Sequence, residues 1–138
     1  MKRIISILLI EDDILDQIEV KRTLDRRNVL YKMSVAKNGV EAIQVLNESF
    51  NGAYLNLPDF ILLDLNMPKM NGFELLTFIR ANVAWKDIRV FVLSTSDEIE
   101  DKARAQALGI SGFITKPLKL DSPSSMDAFN LMMDLMNM

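Results

Sequence analysis

Polar side chains follow four apolar runs of the sequence, at the points where predicted strands end. Glu11-Asp12-Asp13 follows the run 4–10, Asp64 follows 60–63, Ser94-Thr95-Ser96 follows 90–93, and Lys116-Pro117 follows 112–115. In a parallel α/β sheet, ligands bind in the crevice outside the carboxyl ends of the strands. We therefore expect carboxylates, a hydroxyl group and an ammonium group to converge on one edge of the sheet.

The acidic residues at this edge favour a cation site. If the first and third strands are neighbours, Glu11, Asp12 and Asp64 crowd together. Two unit charges about 4 Å apart repel by roughly 4 kcal/mol at an effective dielectric near 20. Such a cluster either raises carboxylate pKa values or is held by a cation. The chain has no histidine and no cysteine, and oxygen ligands alone favour Mg²⁺, which commonly binds one or two carboxylates together with a phosphate.

Asp64 is the best nucleophile candidate, because a carboxylate can accept a phosphoryl group as an acyl phosphate. Lys116 would supply a fixed positive charge and Ser94 a hydrogen bond. Each residue taken singly has a simpler interpretation: acids at a helix start, a surface lysine, a serine bonded to its own backbone. Their joint placement at four strand ends favours the functional interpretation. Without histidine, a Ser-His triad and a His-liganded metal are excluded.

Composition predicts one globular domain over residues 1–138, with no room for an output domain. Hydrophobic residues make up 49% and charged residues 25%, as in ordinary soluble domains. The net charge of −3 lacks the basic footprint of a nucleic-acid binder, and the apolar runs are shorter than a membrane span. The amino terminus has no signal-peptide cleavage site. The absence of cysteine fits a reducing compartment, so we expect a cytoplasmic protein.

Short apolar runs alternate with segments of helical period, which predicts a parallel sheet flanked by helices. Strands are predicted at 4–10, 31–36, 60–63, 88–93 and 111–115. Helices are predicted from about 14 to 28, from an Asn38–Glu41 capping box, from an Asn71–Glu74 cap, from about 97 to 108 before Gly109, and from Ser122-Pro123. The expected helix faces are Ile14, Ile18 and Leu24; Ile43, Leu46 and Phe50; and Phe73, Leu76 and Ile79. The alternating run 31–36 predicts a half-exposed edge strand, and the uniformly apolar run 60–63 predicts a central one.

The carboxyl-terminal helix is expected to carry a wide apolar stripe. Its residues at helical spacing are Met126, Phe129, Met132, Met133 and Met136. Packing on the sheet explains most of this stripe. Its width, together with the adaptability of methionine, also favours an interaction surface. We expect helix five, helix four and strand five to form a self-association or target-binding face.

In combination these motifs resemble the receiver domain of two-component response regulators, over essentially the whole chain. The landmarks, in order and at receiver spacing, are Ile10-Glu11-Asp12, Asp64-Leu65-Asn66-Met67-Pro68, Asn71-Gly72, Ser94-Thr95-Ser96, Gly112-Phe113 and Lys116-Pro117. The resemblance implies an α/β fold with a doubly wound five-stranded parallel sheet of order 2-1-3-4-5 and five flanking helices. It extends to stand-alone receivers, including the type that serves bacterial phytochrome kinases.

The resemblance implies a role for each matching residue. Asp64 would be the phosphoacceptor; Asp12 would bind Mg²⁺ directly, Glu11 more remotely, and Asn66 through its backbone carbonyl. Lys116 would contact the phosphoryl group, with its side chain braced by a cis bond to Pro117. Ser94 would be the switch hydroxyl and Phe113, where tyrosine is frequent, the switch aromatic.

The function that the resemblance implies is a signalling switch rather than an enzyme acting on a separate substrate. The phosphoryl group would come from a sensor histidine kinase or a histidine phosphotransfer protein. The receiver would catalyse its own Mg²⁺-dependent phosphorylation and dephosphorylation. Phosphorylation would then change the face that binds a downstream protein, with no part for nucleic acid or membrane.

Three alternatives remain open at this point. A haloacid-dehalogenase-type phosphatase also uses an aspartyl phosphate and Mg²⁺, but requires aspartate where this chain has Asn66. A flavodoxin-like cofactor binder requires a Gly/Ser/Thr-rich phosphate loop after strand one, where this chain is acidic. A degenerate receiver could act only as a binding module, although the intact acids, hydroxyl and lysine disfavour it.

Overall fold

The computed structural model describes residues 4–26, 30–49, 57–65, 72–94, 99–116 and 134. Strands and helices alternate along the chain in the order β1 (Ile5–Ile10), α1 (Ile14–Arg26), β2 (Tyr31–Ala36), α2 (Gly39–Ser49), β3 (Phe60–Asp64), α3 (Gly72–Ala81), β4 (Arg89–Ser94), α4 (Ile99–Ala107) and β5 (Gly112–Thr115). The five predicted strands are confirmed, and so are the first four helices. The predicted fifth helix lies outside the described residues except for residue 134, and Phe50 and the Asn71 cap also lie outside them.

The strands form one parallel sheet in the order β2-β1-β3-β4-β5, as predicted. Its register aligns the carboxyl ends of the inner strands. Ile10 pairs with Leu63, Asp64 with Leu93, and Ser94 with Thr115. The polar residues that end or follow these strands therefore meet at one edge.

Each face of the sheet has its own core. Alternate strand residues, such as Ile7 and Leu9, pack with Val20 and Leu24 of α1. The intervening residues pack on the opposite face against α2, α3 and α4; the buried members of this second core include Leu8, Ile10, Leu46, Ile61, Leu63, Leu76 and Ile79. β3 is buried along its whole length, which confirms a central strand. β2 alternates half-buried and exposed residues up to the buried Ala36, which confirms a half-exposed edge strand.

The buried face of α1 differs from the predicted one. Leu24 is buried together with Val20 and Thr23, whereas Ile14 is 67% and Ile18 40% exposed. With 3.6 residues per turn, Leu24 lies about 120° around the helix axis from Ile18. Ile14 and Ile18 therefore form an exposed stripe, and the placement of all three on one face was wrong.

The predicted helix ends at α2 and α4 are confirmed in detail. The Glu41 N–H donates to Asn38 Oδ1 at 2.9 Å, and the Glu41 carboxylate accepts from the Lys37 N–H at 3.0 Å. The return bond of this capping box thus reaches one residue further back than in the usual motif. Gly109, at φ 75°, follows the last turn of α4. Within the described residues, each helix is too short or too polar to cross a membrane.

Gly72 allows α3 to begin directly against the end of β3. Its N–H donates to the Leu65 carbonyl at 3.1 Å. A Cβ atom at this position would lie 2.5 Å from Leu65 Cα and 2.8 Å from the Asp64 carbonyl oxygen. Since both atoms belong to the backbone, the glycine is needed for this close approach.

We expect Gly72→Ala to lower the free energy of unfolding by about 1–3 kcal/mol, the usual cost of overpacking. Thermal and urea melts measure this loss. Gly109→Asn is the comparison, because asparagine tolerates positive φ and a Cβ there meets Arg80 Nε only at 3.5 Å. Equal losses in the two variants would contradict a special constraint at Gly72.

Candidate functional site

The sheet ladder fixes the backbone of the residues at the carboxyl edge. The Glu11 N–H donates to the Ala36 carbonyl at 2.9 Å, and the Lys116 N–H donates to the Ser94 carbonyl at 2.7 Å. Both residues therefore extend the strand pairing by one step. Glu11 is 0%, Asp64 3% and Ser94 0% exposed. The predicted acids, hydroxyl and lysine are thus brought to one edge, three of them almost completely buried.

Three carboxylates at this edge have the spacing of a cation site. One oxygen from each of Glu11, Asp12 and Asp64 lies within 4.8 Å of the other two. Asp12 is exposed while the other two are buried, so a cation could enter from the solvent side. Because all three ligands are hard oxygen donors, the set fits Mg²⁺ or Mn²⁺ rather than zinc or copper.

The Lys116 ammonium lies among three carboxylates. Its Nζ atom donates a hydrogen bond to Glu11 Oε1 and another to Asp16 Oδ2 at 3.0 Å, and it lies 3.4 Å from Asp64 Oδ2. The lysine side chain is 9% exposed. A positive charge held at the end of β5 thus partly neutralises the acids that follow β1 and end β3.

The pKa values of Glu11 and Lys116 reflect this crowding. Burial raises the pKa of the Glu11 carboxyl to about 8, and the adjacent Asp64 contributes to the rise while Lys116 partly offsets it. Burial works against the charge on Lys116, but its bonds to Glu11 and Asp16 outweigh burial and raise the pKa of the ammonium above its ordinary value. Lys116 therefore stays charged throughout the physiological pH range.

The acidic residues that follow β1 have different roles. Asp13 points to the helix rather than to the cluster, and its Oδ1 accepts the N–H groups of Leu15 at 2.8 Å and Asp16 at 3.2 Å. This bonding is that of a helix N-cap. Gln17 adds a further restraint, because its side-chain amide donates to the Glu11 carbonyl at 2.8 Å. The turn that carries Glu11 is consequently fixed from both sides.

Asp16 is a site residue that sequence reasoning missed. It lies in the first turn of α1, where an acidic residue is ordinary. Its partner Lys116 is 100 residues away in the sequence, and no local pattern joins the two.

The proposed switch residues occupy the neighbouring strands. Ser94 is buried at the end of β4, next to the strand that carries Asp64. Phe113 on β5 is half-buried and packs against the core shared by α2, α3 and α4. The Lys102 ammonium of α4 lies 5.7 Å from the centroid of the Phe113 ring. Asn66 and Pro117 lie outside the described residues.

Comparisons with known proteins agree with this arrangement. Residues 7–124 match the response regulator receiver domain. Response regulator Rcp1 from Synechocystis is 34% identical over 116 residues, which cover 83% of this chain and 78% of that protein. The crystal structure of the Mn²⁺-bound form of Rcp1 superposes with a TM-score of 0.73 at 30% identity, covering 95% of this chain and 91% of that one.

A second solved structure is similar over the same extent. It is the phosphorylated cyanobacterial phytochrome response regulator RcpA, with a TM-score of 0.75 at 32% identity, covering 94% of this chain and 91% of that one. The domain match and these two relatives favour neither the phosphatase nor the flavodoxin-like alternative. The chain belongs to the response regulator receiver domain family and is a phospho-accepting signalling domain of two-component systems.

Proposed function

We propose that Asp64 accepts the phosphoryl group, with Mg²⁺ held by Glu11, Asp12 and Asp64. The observation that carries the proposal is the meeting of three carboxylates and one ammonium at a single edge of the sheet. Among these carboxylates, Asp64 combines near-complete burial with a place at the end of the central strand β3. A rigid strand end suits a nucleophile that must be held in one position.

In the proposed transfer, the phosphoryl group passes directly from the donor to Asp64. An Asp64 carboxylate oxygen forms a bond to phosphorus while the bond from phosphorus to the donor nitrogen breaks, and the electron pair leaves with the imidazole. Hydrolysis reverses the state of Asp64: water attacks phosphorus, the aspartyl oxygen leaves, and inorganic phosphate is released. The receiver itself would catalyse both steps. Catalysis of this kind consists almost entirely of positioning and charge stabilisation.

The chain's own residues supply that stabilisation. Lys116 would donate to a phosphoryl oxygen on Asp64, since its ammonium already lies 3.4 Å from Asp64 Oδ2. Bound Mg²⁺ would neutralise the phosphoryl oxygens, with the backbone carbonyl of Asn66 as a further ligand. Ser94 would donate its hydroxyl proton to the phosphoryl group, and Phe113 would change orientation with it. Pro117 would brace Lys116 through a cis bond.

The partners follow from the chemistry and from the relatives. A sensor histidine kinase or a histidine phosphotransfer protein would supply the phosphoryl group, and a downstream protein would bind the changed surface. RcpA is a phytochrome response regulator, and we infer a phytochrome-type kinase as the donor here. A cytoplasmic setting suits such a donor. We take residues 1–138 as one receiver domain.

We also propose a self-association face formed by α4, β5 and the predicted helix five. On α4, Ile99 is 84% exposed, which supports an apolar contact at that end. The methionine-rich stripe of residues 126–136 would add adaptable surface to it.

We expect Asp64→Asn to abolish phosphorylation, because the amide that replaces the carboxylate is a poor nucleophile. Incubation with acetyl phosphate and Mg²⁺, followed by mass spectrometry, should add one acid-stable, base-labile phosphoryl group to the parent protein. Asp59→Asn is the control, because Asp59 lies just before β3 and bonds the Ser6 N–H at 2.9 Å. Equal labelling of the Asp64 variant would refute the assignment.

We expect Asp12→Ala to remove stabilisation by Mg²⁺. In the parent protein, free Mg²⁺ at a hundredfold excess over Kd should add about 2.7 kcal/mol of stability. The variant loses a ligand, but it also loses carboxylate repulsion, so its metal-free melting temperature should hold or rise. A melting titration tests both effects, with Glu48→Ala on the exposed side of α2 as the charge-matched control. Undiminished Mg²⁺ stabilisation in Asp12→Ala would overturn the ligand assignment.

We expect Lys116→Ala to uncouple phosphorylation from the response. The ammonium matters most when the phosphoryl charge is present, so some phosphorylation persists while amide NMR shifts near Ser94 and Phe113 shrink. Lys86→Ala removes an exposed lysine and should leave those shifts at full size. Parent-sized shifts in phosphorylated Lys116→Ala would count against the role.

A further inference from the structure

We propose that Asp16 is a positioning residue, which holds the Lys116 ammonium in place for phosphoryl chemistry at Asp64. The inference rests on the proposed roles of Asp64 and Lys116 and adds a residue of α1 to that site. The Asp16 carboxylate accepts a hydrogen bond from Lys116 Nζ at 3.0 Å. This bond joins the first turn of α1 to the end of β5.

Lys116 is tethered at both ends of its side chain. At its base, the Lys116 N–H donates to the Ser94 carbonyl at 2.7 Å, which fixes the main chain against β4. At its tip, the ammonium bonds Glu11 and Asp16 on the far side of the sheet edge. The side chain therefore spans the edges of β4 and β3 and passes beside Asp64.

The bond to Asp16 helps to fix the orientation of the Lys116 ammonium. A lysine ammonium has three N–H donors at fixed angles to one another. Glu11 and Asp16 take two of them, and the Asp64 contact at 3.4 Å is the longest of the three. Two occupied donors restrict the rotation of the ammonium, which lies beside Asp64 and forms an ion pair with it.

Asp16 differs from the other two carboxylates in its relation to the cation site. Glu11 and Asp64 belong to the cluster with Asp12. A bound cation would therefore neutralise part of the negative charge that Lys116 neutralises when no cation is bound. Asp16 is not a member of that cluster. It can keep its bond to Lys116 whether or not a cation is held.

The backbone of Asp16 is itself held in place. Its N–H donates to Asp13 Oδ1 at 3.2 Å, and the next residue, Gln17, bonds the Glu11 carbonyl at 2.8 Å. The carboxylate that holds Lys116 thus projects from a capped helix turn rather than from a loose loop. Such support is what a positioning group requires.

A purely structural role for Asp16 makes a different prediction. An acidic side chain in the first turn stabilises a helix through its dipole, and losing it would lower stability without a specific effect on phosphorylation rate. Asp16→Asn removes the charge but keeps the shape, and Glu19→Gln removes one charge from the next turn of α1. The pair separates the contact with Lys116 from a general loss of charge on the helix.

The experiment measures the rate of Asp64 phosphorylation by acetyl phosphate at saturating Mg²⁺, with melting temperatures alongside. Asp16→Asn should slow the reaction about fivefold, the order expected from one half-exposed ion pair. Glu19→Gln should keep the parent rate, and Asp16→Glu should recover most of the lost rate. The 15N signal of the Lys116 ammonium should shift in Asp16→Asn and stay in place in Glu19→Gln.

The Lys116→Ala background decides whether Asp16 acts through the lysine. In that background, adding Asp16→Asn should change the remaining rate by less than twofold, because coupled residues are not additive. An unchanged rate in Asp16→Asn, an equal slowing by Glu19→Gln, or a full effect without Lys116 would each overturn the inference. Failure of the parent protein to be labelled on Asp64 would instead refute the proposed function.

Discussion

Two buried carboxylates, those of Glu11 and Asp64, lie side by side at the carboxyl edge of the sheet. When both are ionised they repel each other, so the folded chain needs either a proton on one of them or a positive charge beside them. Burial increases the free-energy cost of this repulsion, because charges that lose water interact more strongly with each other. Lys116 meets this requirement with an ammonium that contacts both acids and Asp16 as well. The lysine is therefore part of the folded charge balance, in addition to its proposed role at a phosphoryl group.

The fold explains why these charges must meet. Both faces of the sheet are covered by apolar cores, so polar groups have no place along β3, which is buried throughout. The charged residue of β3 is Asp64, at its carboxyl end, and the parallel order β2-β1-β3-β4-β5 places that end beside the ends of β1 and β4. The close approach of Gly72 to Asp64 and Leu65 then brings α3 tightly against the end of β3. The sheet topology thus brings the charged residues to one edge, and the apolar cores keep most of these residues away from water.

The strands and helices were predictable from the sequence because their periodicity is a local pattern, whereas the strand order was predicted from the resemblance to receiver domains. The uniformly apolar run 60–63 predicted a buried central strand, and the alternating run 31–36 predicted a half-exposed edge strand. The exposed stripe of Ile14 and Ile18 was not predictable from apolar identity alone, since a helix buries the side that faces the sheet and not every apolar residue. Asp13 and Asp16 are both acids after β1, yet one caps α1 and the other binds Lys116. Only tertiary contact over 100 residues distinguishes them.

Lys116, which is tethered at both ends, also links the proposed phosphoacceptor Asp64 to a distant part of the surface. Its main chain is bonded to Ser94, and β5, which leads into it, carries Phe113 three residues earlier. The Phe113 ring lies under the Lys102 ammonium of α4, so Asp64 and α4 are joined through contacting groups. New negative charge at Asp64 would attract the Lys116 ammonium and strain the hydrogen bond between the Lys116 N–H and the Ser94 carbonyl. Because packed cores resist continuous deformation, the response would emerge where packing is looser, at the half-buried Phe113 and the exposed start of α4.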